Sequence, residues 1–326
     1  MKPRVFVSRS IPDSGLSLLE KKVALKIWEK EQPPQKEDFL REAGLSDGMI
    51  VIPGDPIDRE VLSAGRSLKV ISCYAVGYDS IDVEAATELG ILVTNTPDVL
   101  TEATADMAFG LLLASARRIA EGDRLVRCGE WKHWGPRFML GKDVSGSTLG
   151  IVGMGRIGQA VAKRARAFDM EIVYTSRRRC EVAEKEFKAR FLELEALLLV
   201  SDFVSLHCPL TPGTKNLIGE RQLRSMKPTS ILINTSRGPV VSETDLVRAL
   251  RENWIAGAAL DVFETEPLPA EHPFMKLDNV LLCPHLGSAT VKTRERMSTL
   301  AAENLLAALE GRKPAHLVNP QAHGRK

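Results

Sequence analysis

Arg237, Glu266 and His285 each follow a short apolar run that has the length of a buried strand. The carboxyl ends of parallel strands meet at one edge of a sheet, so these three side chains could converge on one ligand. An arginine holds a carboxylate through two parallel hydrogen bonds, and a histidine exchanges a proton near neutral pH. A glutamate behind the imidazole fixes its tautomer and favours the protonated ring. This set suits reduction of a small 2-keto acid, or the reverse oxidation. The three runs are Ser230–Asn234, Ala258–Val262 and Val280–Cys283.

Each of these residues also has an interpretation without chemistry. Arg237 could be a surface turn residue, Glu266 a solvated loop acid, and His285 a histidine satisfied by backbone groups. Glu264 competes with Glu266 for the place behind the imidazole, and His207 is the rival histidine because it too ends an apolar run. The remaining histidines are predicted to lie in loops or the tail: His133, His272, His316 and His323.

A GxGxxG motif lies between the apolar run Thr148–Val152 and a helix predicted over Gln159–Phe168. Its first glycine permits a tight turn, its second lets the backbone approach a pyrophosphate, and its third lets the helix pack on the strand. The glycines are Gly153, Gly155 and Gly158. The amides expected to face the anion, supported by the helix dipole, are those of Arg156 and Ile157. The motif and its context predict a dinucleotide site.

The next apolar run ends in Ser176, Arg177, Arg178 and Arg179, with no acidic residue. A site for NAD usually has a carboxylate here, which holds the ribose 2′-hydroxyl. Guanidinium groups instead bind a 2′-phosphate as bidentate donors. We therefore predict a preference for NADP(H), with NAD(H) possible, and assign the contact to Ser176, Arg177 and Arg178. A solvated basic loop is the alternative.

Short apolar runs alternate with helix-patterned segments along the chain, which predicts an α/β fold with two doubly wound parallel sheets. The first series of strands is Arg4–Ser8, Ala24–Trp28, Met49–Ile52, Lys69–Cys73 and Ile91–Thr94. The second series adds Thr148–Val152, Glu171–Thr175 and Phe203–Leu206 to the three runs named above. A long apolar helix is predicted over Glu102–Ala120, as a buried core helix, as a link between domains that contributes to a subunit interface, or as both, and a last helix is predicted over Val291–Glu310.

The bulk composition excludes several other classes of protein. The 326 residues exceed what one core comfortably supports, so two domains are expected. A net charge of +2 predicts no general attraction to nucleic acid or membrane. No run approaches the roughly 20 apolar residues of a membrane span, and no signal-peptide core is seen. Five scattered cysteines without a CxxC pair indicate thiols in a reducing cytoplasm, without a disulfide or metal site.

Five ordered motifs resemble the D-isomer-specific 2-hydroxyacid dehydrogenase family, and the resemblance covers almost the full chain. They are Tyr74–Asp82 (YAVGYDSID), Gly150–Gly158, Leu232–Gly238 (LINTSRG), Leu260–Pro267 (LDVFETEP) and Pro284–Thr290 (PHLGSAT). Within the family the chain is most similar to the glyoxylate/hydroxypyruvate reductases of microbial type. The resemblance implies reduction of glyoxylate to glycolate, of hydroxypyruvate to D-glycerate, or of both.

The resemblance also implies how the chain is organised into domains and which residues contact the ligands. Residues 1–99 would form a flavodoxin-like substrate domain, 100–287 a Rossmann cofactor domain, and 288–326 a C-terminal helix that returns to the substrate domain. The active form would be a homodimer. Arg237, Glu266 and His285 would be catalytic, and the substrate would also meet Val76 and Gly77. Cofactor contacts would come from the glycine loop with Met154, from the Ser176–Arg178 segment, and from Pro209, Thr214, Thr235, Ser236, Asp261, Leu286 and Gly287.

Three points of the resemblance stay open. Reductases of the family often carry a tryptophan after the long helix that reaches into the partner's site, and Trp134 in a shorter loop could fill that role or simply pack. Phosphoglycerate dehydrogenase is an alternative enzyme, although many of those proteins carry a regulatory domain. A nucleotide-sensing corepressor is an alternative of another class, since such proteins share the Arg, Glu and His positions.

Overall fold

A computed structural model describes residues 2–324 of the chain. The chain divides into two units. The first comprises Met1–Leu100 and Ala289–Lys326, and the second is Thr101–Ser288. Each has its own parallel sheet, as the alternating pattern predicts.

The first unit is built on a five-stranded parallel sheet with the order β2-β1-β3-β4-β5. This is the flavodoxin-like order, in which the direction of strand addition across the sheet reverses between β1 and β3. The strands are β1 (Arg4–Val7), β2 (Ala24–Ile27), β3 (Gly48–Val51), β4 (Val70–Cys73) and β5 (Leu92–Thr94). The helices are α1 (Asp13–Lys22), α2 (Lys36–Leu45), α3 (Arg59–Ala64), α4 (Val83–Glu88) and α12 (Val291–Leu309).

Capping side chains fix where several of these helices begin. The Asp58 carboxylate accepts from the Val61 amide at the start of α3, and Asp82 accepts from Ala85 at the start of α4. Each carboxylate satisfies a donor that has no partner within its helix.

The second unit has a seven-stranded parallel sheet with the order β12-β11-β10-β9-β6-β7-β8. Its first six strands follow the Rossmann order, and β12 extends it by one strand. The strands are β6 (Thr148–Val152), β7 (Glu171–Thr175), β8 (Arg190–Phe191), β9 (Phe203–Leu206), β10 (Ile231–Asn234), β11 (Gly257–Leu260) and β12 (Val280–Leu282). The helices are α5 (Thr101–Ala116), α6 (Ile119–Arg127), α7 (Arg156–Arg166), α8 (Glu181–Phe187), α9 (Leu194–Val200), α10 (Glu220–Ser225) and α11 (Glu243–Arg251).

Both faces of the seven-stranded sheet are covered by apolar side chains. Ile151 and Val152 are neighbours in β6, yet they pack into two different clusters of buried residues. A strand buried on both faces needs a continuous apolar sequence rather than an alternating one. This explains why the strands of the second unit are apolar, and why the candidate site residues lie beyond the strand ends.

The predicted single helix Glu102–Ala120 is wrong. The structure has α5 ending at Ala116 and a second helix, α6, beginning at Ile119. Arg118 between them has a φ of 53°, which is left-handed and interrupts the right-handed helix. Its guanidinium donates to Glu121 in the first turn of α6 (Nε to Oε2, 2.8 Å), so the break is held by a local ion pair. Apolar periodicity does not reveal such a break.

Other predicted bounds differ by a few residues at the ends of elements. The helix after the glycine motif begins at Arg156 rather than Gln159, because Gly158 lies inside its first turn. The strand predicted over Ala258–Val262 is Gly257–Leu260, which leaves Asp261 beyond its end. Within residues 2–324, no helix is long and apolar enough to cross a membrane.

Candidate active site

The glycine motif forms the turn between β6 and α7. Gly153 has a φ of +99°, and a Cβ there would lie 2.7 Å from the backbone N of Cys208. A Cβ on Gly158 would lie 2.2 Å from the carbonyl oxygen of Gly153, so helix and strand approach too closely for a side chain. A Cβ on Gly155, in contrast, would meet nothing within 4 Å. The loop is therefore tight at Gly153 and Gly158 and open at Gly155, where a ligand could approach the backbone.

The three arginines of the basic segment after β7 are all exposed, and they differ in whether they form an ion pair. Arg179 pairs with Glu184 (Nε to Oε1, 2.9 Å) and lies 5.7 Å from the Phe191 ring. Arg177 and Arg178 are exposed and make no ion pair with any described residue. The Ser176 hydroxyl donates to the Arg178 carbonyl at 2.5 Å, which bends the segment back on itself.

The loops after β9 and β10 hold four of the other predicted cofactor residues. The Thr214 hydroxyl donates to the Pro209 carbonyl at 2.6 Å and closes the loop after β9. The amide and hydroxyl of Ser236 both donate to Asn234 Oδ1, at 3.0 and 2.9 Å. The Thr235 hydroxyl is buried and has no hydrogen-bond partner among the described residues. A buried hydroxyl without a partner is costly, and a bound ligand could satisfy it.

His285 and Glu266 form a hydrogen-bonded pair. Nδ1 of His285 lies 2.7 Å from Oε2 of Glu266, and the two side chains are 35% and 36% exposed. The other Glu266 oxygen accepts from the Phe263 amide at 3.0 Å. Burial opposes ionisation of Glu266, but the hydrogen bonds from His285 and Phe263 and the nearby Arg237 charge outweigh it and lower its pKa. Nε2 of His285 makes no hydrogen bond within residues 2–324, so it remains available to a ligand.

The backbone beside His285 is held by Asp261, a role that the sequence analysis missed. The two carboxylate oxygens of Asp261 accept from the amides of Leu286 and Gly287, each at 2.7 Å. The His285 amide donates to the Asp261 carbonyl at 3.0 Å, and His285 has a φ of 55°. Asp261 is 1% exposed, and burial raises its pKa against the two amide bonds. The amides of Leu286 and Gly287 are therefore already used within the chain.

The turn that carries Arg237 lies against the turn that carries Glu266. A Cβ on Gly238 would lie 1.9 Å from the carbonyl carbon of Phe263, so the two backbones touch directly. The Arg237 carbonyl accepts from Asn234 Nδ2 at 2.9 Å, which ties the turn to the end of β10. A glycine immediately after the arginine is the sequence signal for this contact, but its neighbour is 25 residues away in sequence.

The two rivals named in the sequence analysis have other partners. Glu264 exchanges hydrogen bonds with Glu243, because each carboxylate accepts from the other's amide, at 2.7 and 3.3 Å. His207 has its Nε2 2.8 Å from the Ser205 hydroxyl, and burial lowers its pKa to about 4. Neither forms a carboxylate–imidazole pair. His272 lies in a loop, as predicted, and its Nε2 is 3.2 Å from Glu243.

In the first unit, the loop after β4 carries Val76 and Gly77. Neither amide N–H of these two residues donates a hydrogen bond within residues 2–324. Both residues are half-buried. Two adjacent amide donors without partners form an arrangement that suits an anion such as a carboxylate.

The family is shown by comparison with known proteins. The domain described as "D-isomer specific 2-hydroxyacid dehydrogenase, NAD binding domain" matches residues 109–287. A glyoxylate reductase of Korarchaeum cryptofilum is 55% identical over 98% of this chain and 97% of its own length. A glyoxylate reductase of Thermococcus litoralis is 52% identical over 98% and 97%.

A solved structure of a similar enzyme agrees with this family assignment. An NADPH-dependent glyoxylate/hydroxypyruvate reductase of Sinorhizobium meliloti, in complex with NADP and malonate, superimposes with a TM-score of 0.86 at 32% identity, covering 100% of this chain and 99% of that one. The chain belongs to the D-isomer-specific 2-hydroxyacid dehydrogenase family. It is therefore an oxidoreductase that uses a nicotinamide cofactor. The family match confirms the resemblance seen in the sequence, and the two parallel sheets confirm the predicted fold class.

Proposed function

We propose that this enzyme reduces glyoxylate to glycolate, hydroxypyruvate to D-glycerate, or both. The main support is the hydrogen-bonded pair of Glu266 and His285, with Oε2 and Nδ1 2.7 Å apart. This pair lies beside Arg237 at the strand ends of the Rossmann-type sheet. The similarity to glyoxylate reductases at 52–55% identity over nearly the full chain supports the substrate class.

Each of the three residues has a distinct role in this proposal. Arg237 binds the substrate carboxylate through two parallel hydrogen bonds. His285 donates the Nε2 proton to the carbonyl oxygen as that oxygen gains charge, and Glu266 holds the Nδ1 proton and stabilises the imidazolium. A bound nicotinamide supplies the hydride that reaches the 2-keto carbon. In the direction of oxidation, His285 accepts the hydroxyl proton instead.

The second unit has features that fit a dinucleotide. The loop is open at Gly155, α7 begins directly after it so that its positive dipole end faces the loop, and the Thr235 hydroxyl is buried without a hydrogen-bond partner within residues 2–324. We assign the cofactor to 100–287, and the substrate domain to 1–99 together with 288–326. Amides of the glycine loop would hold the pyrophosphate, and Asp261 would contact the nicotinamide end.

We further propose that the enzyme prefers NADPH, because Arg177 and Arg178 are exposed next to Ser176 and have no acidic partner among residues 2–324. Replacing both arginines by alanine removes the donors for a 2′-phosphate. Each lost charged hydrogen bond is worth about 1.5–3 kcal/mol, a factor of roughly 10 to 100, so losing both should lower the ratio of kcat/KM for NADPH to that for NADH by roughly 100-fold or more. Steady-state kinetics with both cofactors measures this ratio.

The matched control is Arg179→Ala. This arginine is adjacent in sequence but is tied to Glu184, so its loss should leave the ratio close to that of the wild type. If the double variant Arg177→Ala, Arg178→Ala keeps the wild-type ratio, the basic segment does not select the cofactor.

The homodimer is also a proposal, and an exposed apolar surface supports it. Several large apolar side chains on α6 and the following loop are more than half exposed, which is unusual for a patch that stays in water. They are Ile119 (57%), Val126 (56%), Trp131 (55%), Trp134 (76%) and Leu140 (66%). Trp134 is the candidate to reach the partner's substrate. A monomer in sedimentation experiments at micromolar concentration would contradict the proposal.

All five cysteines are thiols, which fits the expected cytoplasmic location.

One assay tests the substrate. Purified protein is mixed with NADPH and glyoxylate, and nicotinamide absorbance is followed, with hydroxypyruvate, 3-phosphohydroxypyruvate and NADH in parallel. We expect rapid oxidation of NADPH by glyoxylate or hydroxypyruvate. A preference for the phosphorylated substrate would instead indicate a phosphoglycerate dehydrogenase. Cofactor binding without turnover of any keto acid would favour the corepressor-like alternative.

A further inference from the structure

The loop after β4 presents two amide donors on one side and two anchored carbonyls on the other. The Ala75 carbonyl accepts from the Thr96 amide at 2.8 Å, and the Val76 carbonyl accepts from Asn95 Nδ2 at 2.8 Å. The amides of Val76 and Gly77 belong to these same two peptide groups, and they have no partner within residues 2–324.

Peptide geometry couples these two observations. In a trans peptide group the C=O and N–H bonds lie in one plane and point in opposite directions. Holding the Ala75 and Val76 carbonyls toward the segment after β5 therefore aims the Val76 and Gly77 amides away from it, on one common side. The two donors are fixed in direction before any ligand binds, so a carboxylate would meet them without reorganisation of the loop.

Asn95 is itself held by its backbone, which leaves its side chain for the loop. The Asn95 amide donates to the His316 carbonyl at 3.3 Å, and its carbonyl accepts from Asn304 Nδ2 at 3.1 Å. Asn304 lies on α12 and is 1% exposed. Asn304 Oδ1 in turn accepts from the His316 amide at 3.3 Å. The C-terminal segment of the first unit thus fixes Asn95, and the Asn95 amide group fixes the Val76–Gly77 peptide.

We propose that Asn95 is a positioning residue for the substrate carboxylate, acting through the Val76–Gly77 peptide group. The proposal rests on the assignment of the Val76 and Gly77 amides to the substrate. A side-chain amide suits this place because it supplies a donor to a carbonyl without adding charge. A carboxylate of the same shape would place an acceptor against an acceptor, and would repel the substrate anion as well.

Two variants test the proposal. Asn95→Ala removes the donor, and Asn95→Asp keeps the shape but replaces donor with acceptor. We expect KM for glyoxylate to rise about five- to tenfold in Asn95→Ala, the effect of one lost hydrogen bond, and further in Asn95→Asp. KM for NADPH should stay unchanged. The Kd of the unreactive carboxylate oxamate, measured by calorimetry with NADPH present, should rise by the same factor as KM.

Asn319→Ala is the matched control. Asn319 is a buried asparagine of the same unit, which accepts from the Val93 amide at 2.8 Å and donates to the Ile91 carbonyl at 2.9 Å. Its side chain braces β5 and makes no hydrogen bond to the loop after β4 within residues 2–324, so its loss should lower Tm and leave the oxamate Kd unchanged. A rise in oxamate Kd confined to the Asn95 variants supports the positioning role.

Two other outcomes overturn the proposal in different ways. If the wild-type enzyme reduces glyoxylate and binds oxamate, but both Asn95 variants keep the wild-type KM and Kd, the positioning role is wrong and the proposed function stands. If the wild-type enzyme neither reduces a keto acid nor binds oxamate, the proposed function fails and the role of Asn95 fails with it.

Discussion

Replacement of His285 by asparagine is expected to lower kcat for keto-acid reduction by about 10²- to 10⁴-fold, the usual contribution of a positioned acid–base group. Nε2 of this ring has no hydrogen-bond partner in the described chain, and Nδ1 is held 2.7 Å from Glu266. The side-chain amide of asparagine can donate a hydrogen bond, but it cannot deliver a proton near neutral pH. Steady-state rates with glyoxylate and NADPH measure the loss.

Binding measurements separate a chemical defect from a structural one. NADPH binding, followed by nicotinamide fluorescence, should be unchanged in His285→Asn because the glycine loop lies on other strands. Retention of most of the wild-type kcat would show that the proton comes from another group.

Glu266→Gln provides a companion to that variant. It keeps the volume and the acceptor for the Phe263 amide, but it removes the charge beside His285. The lowered pKa of Glu266 means that its carboxylate is ionised in the wild-type enzyme at neutral pH, and its contribution is lost only as the pH falls toward the acidic range. For keto-acid reduction, which needs the protonated imidazole, we expect the pH of half-maximal kcat to move downward in Glu266→Gln.

Replacement of Arg237 by alanine should lower kcat/KM for glyoxylate by roughly 10²-fold or more. Two charged hydrogen bonds to the carboxylate are lost, each worth about 1.5–3 kcal/mol, and every 1.4 kcal/mol is a factor of about ten. Arg237→Lys keeps the charge but cannot form two parallel bonds, so its loss should be smaller than that of alanine and clearly measurable. Kinetics over a range of glyoxylate concentrations separate the effects on KM and kcat.

Arg248→Ala is a suitable control for Arg237. Arg248 is an exposed arginine of the same unit that pairs with Glu252 at 2.9 Å, and the proposed chemistry does not use it. Its loss should leave kcat/KM unchanged, since exposed ion pairs contribute about 0–1 kcal/mol. If Arg237→Ala binds and reduces glyoxylate as well as Arg248→Ala does, Arg237 does not hold the carboxylate.

Several parts of the site could be predicted because their causes are local in sequence. The glycine spacing of the motif reflects a turn, an open approach and a close helix–strand contact, and the structure shows all three at Gly153, Gly155 and Gly158. The basic segment after β7 could also be identified from sequence, because its arginines are adjacent along the chain. The break at Arg118 was missed for the opposite reason, because its left-handed φ leaves no trace in apolar periodicity.

The choice between competing side chains required the fold. Glu264 and Glu266 are separated by one residue, and no sequence pattern tells which of them meets the imidazole. The structure decides it, because Glu243 on α11 engages Glu264 and leaves Glu266 for His285. The anchoring of the Leu286–Gly287 backbone by Asp261 is of the same kind, with partners 25 and 26 residues apart.

The sequence by itself determined the alternation of strands and helices, the dinucleotide loop, and the three residue types at the strand ends. These follow from periodicity, from the conformational freedom of glycine and from the rule that ligands gather at the carboxyl ends of parallel strands. Only the tertiary structure decided which carboxylate pairs with His285, and which side of the loop after β4 its amides face. Those contacts join residues that are distant along the chain, and their geometry depends on strand register and backbone direction, which composition and spacing do not encode.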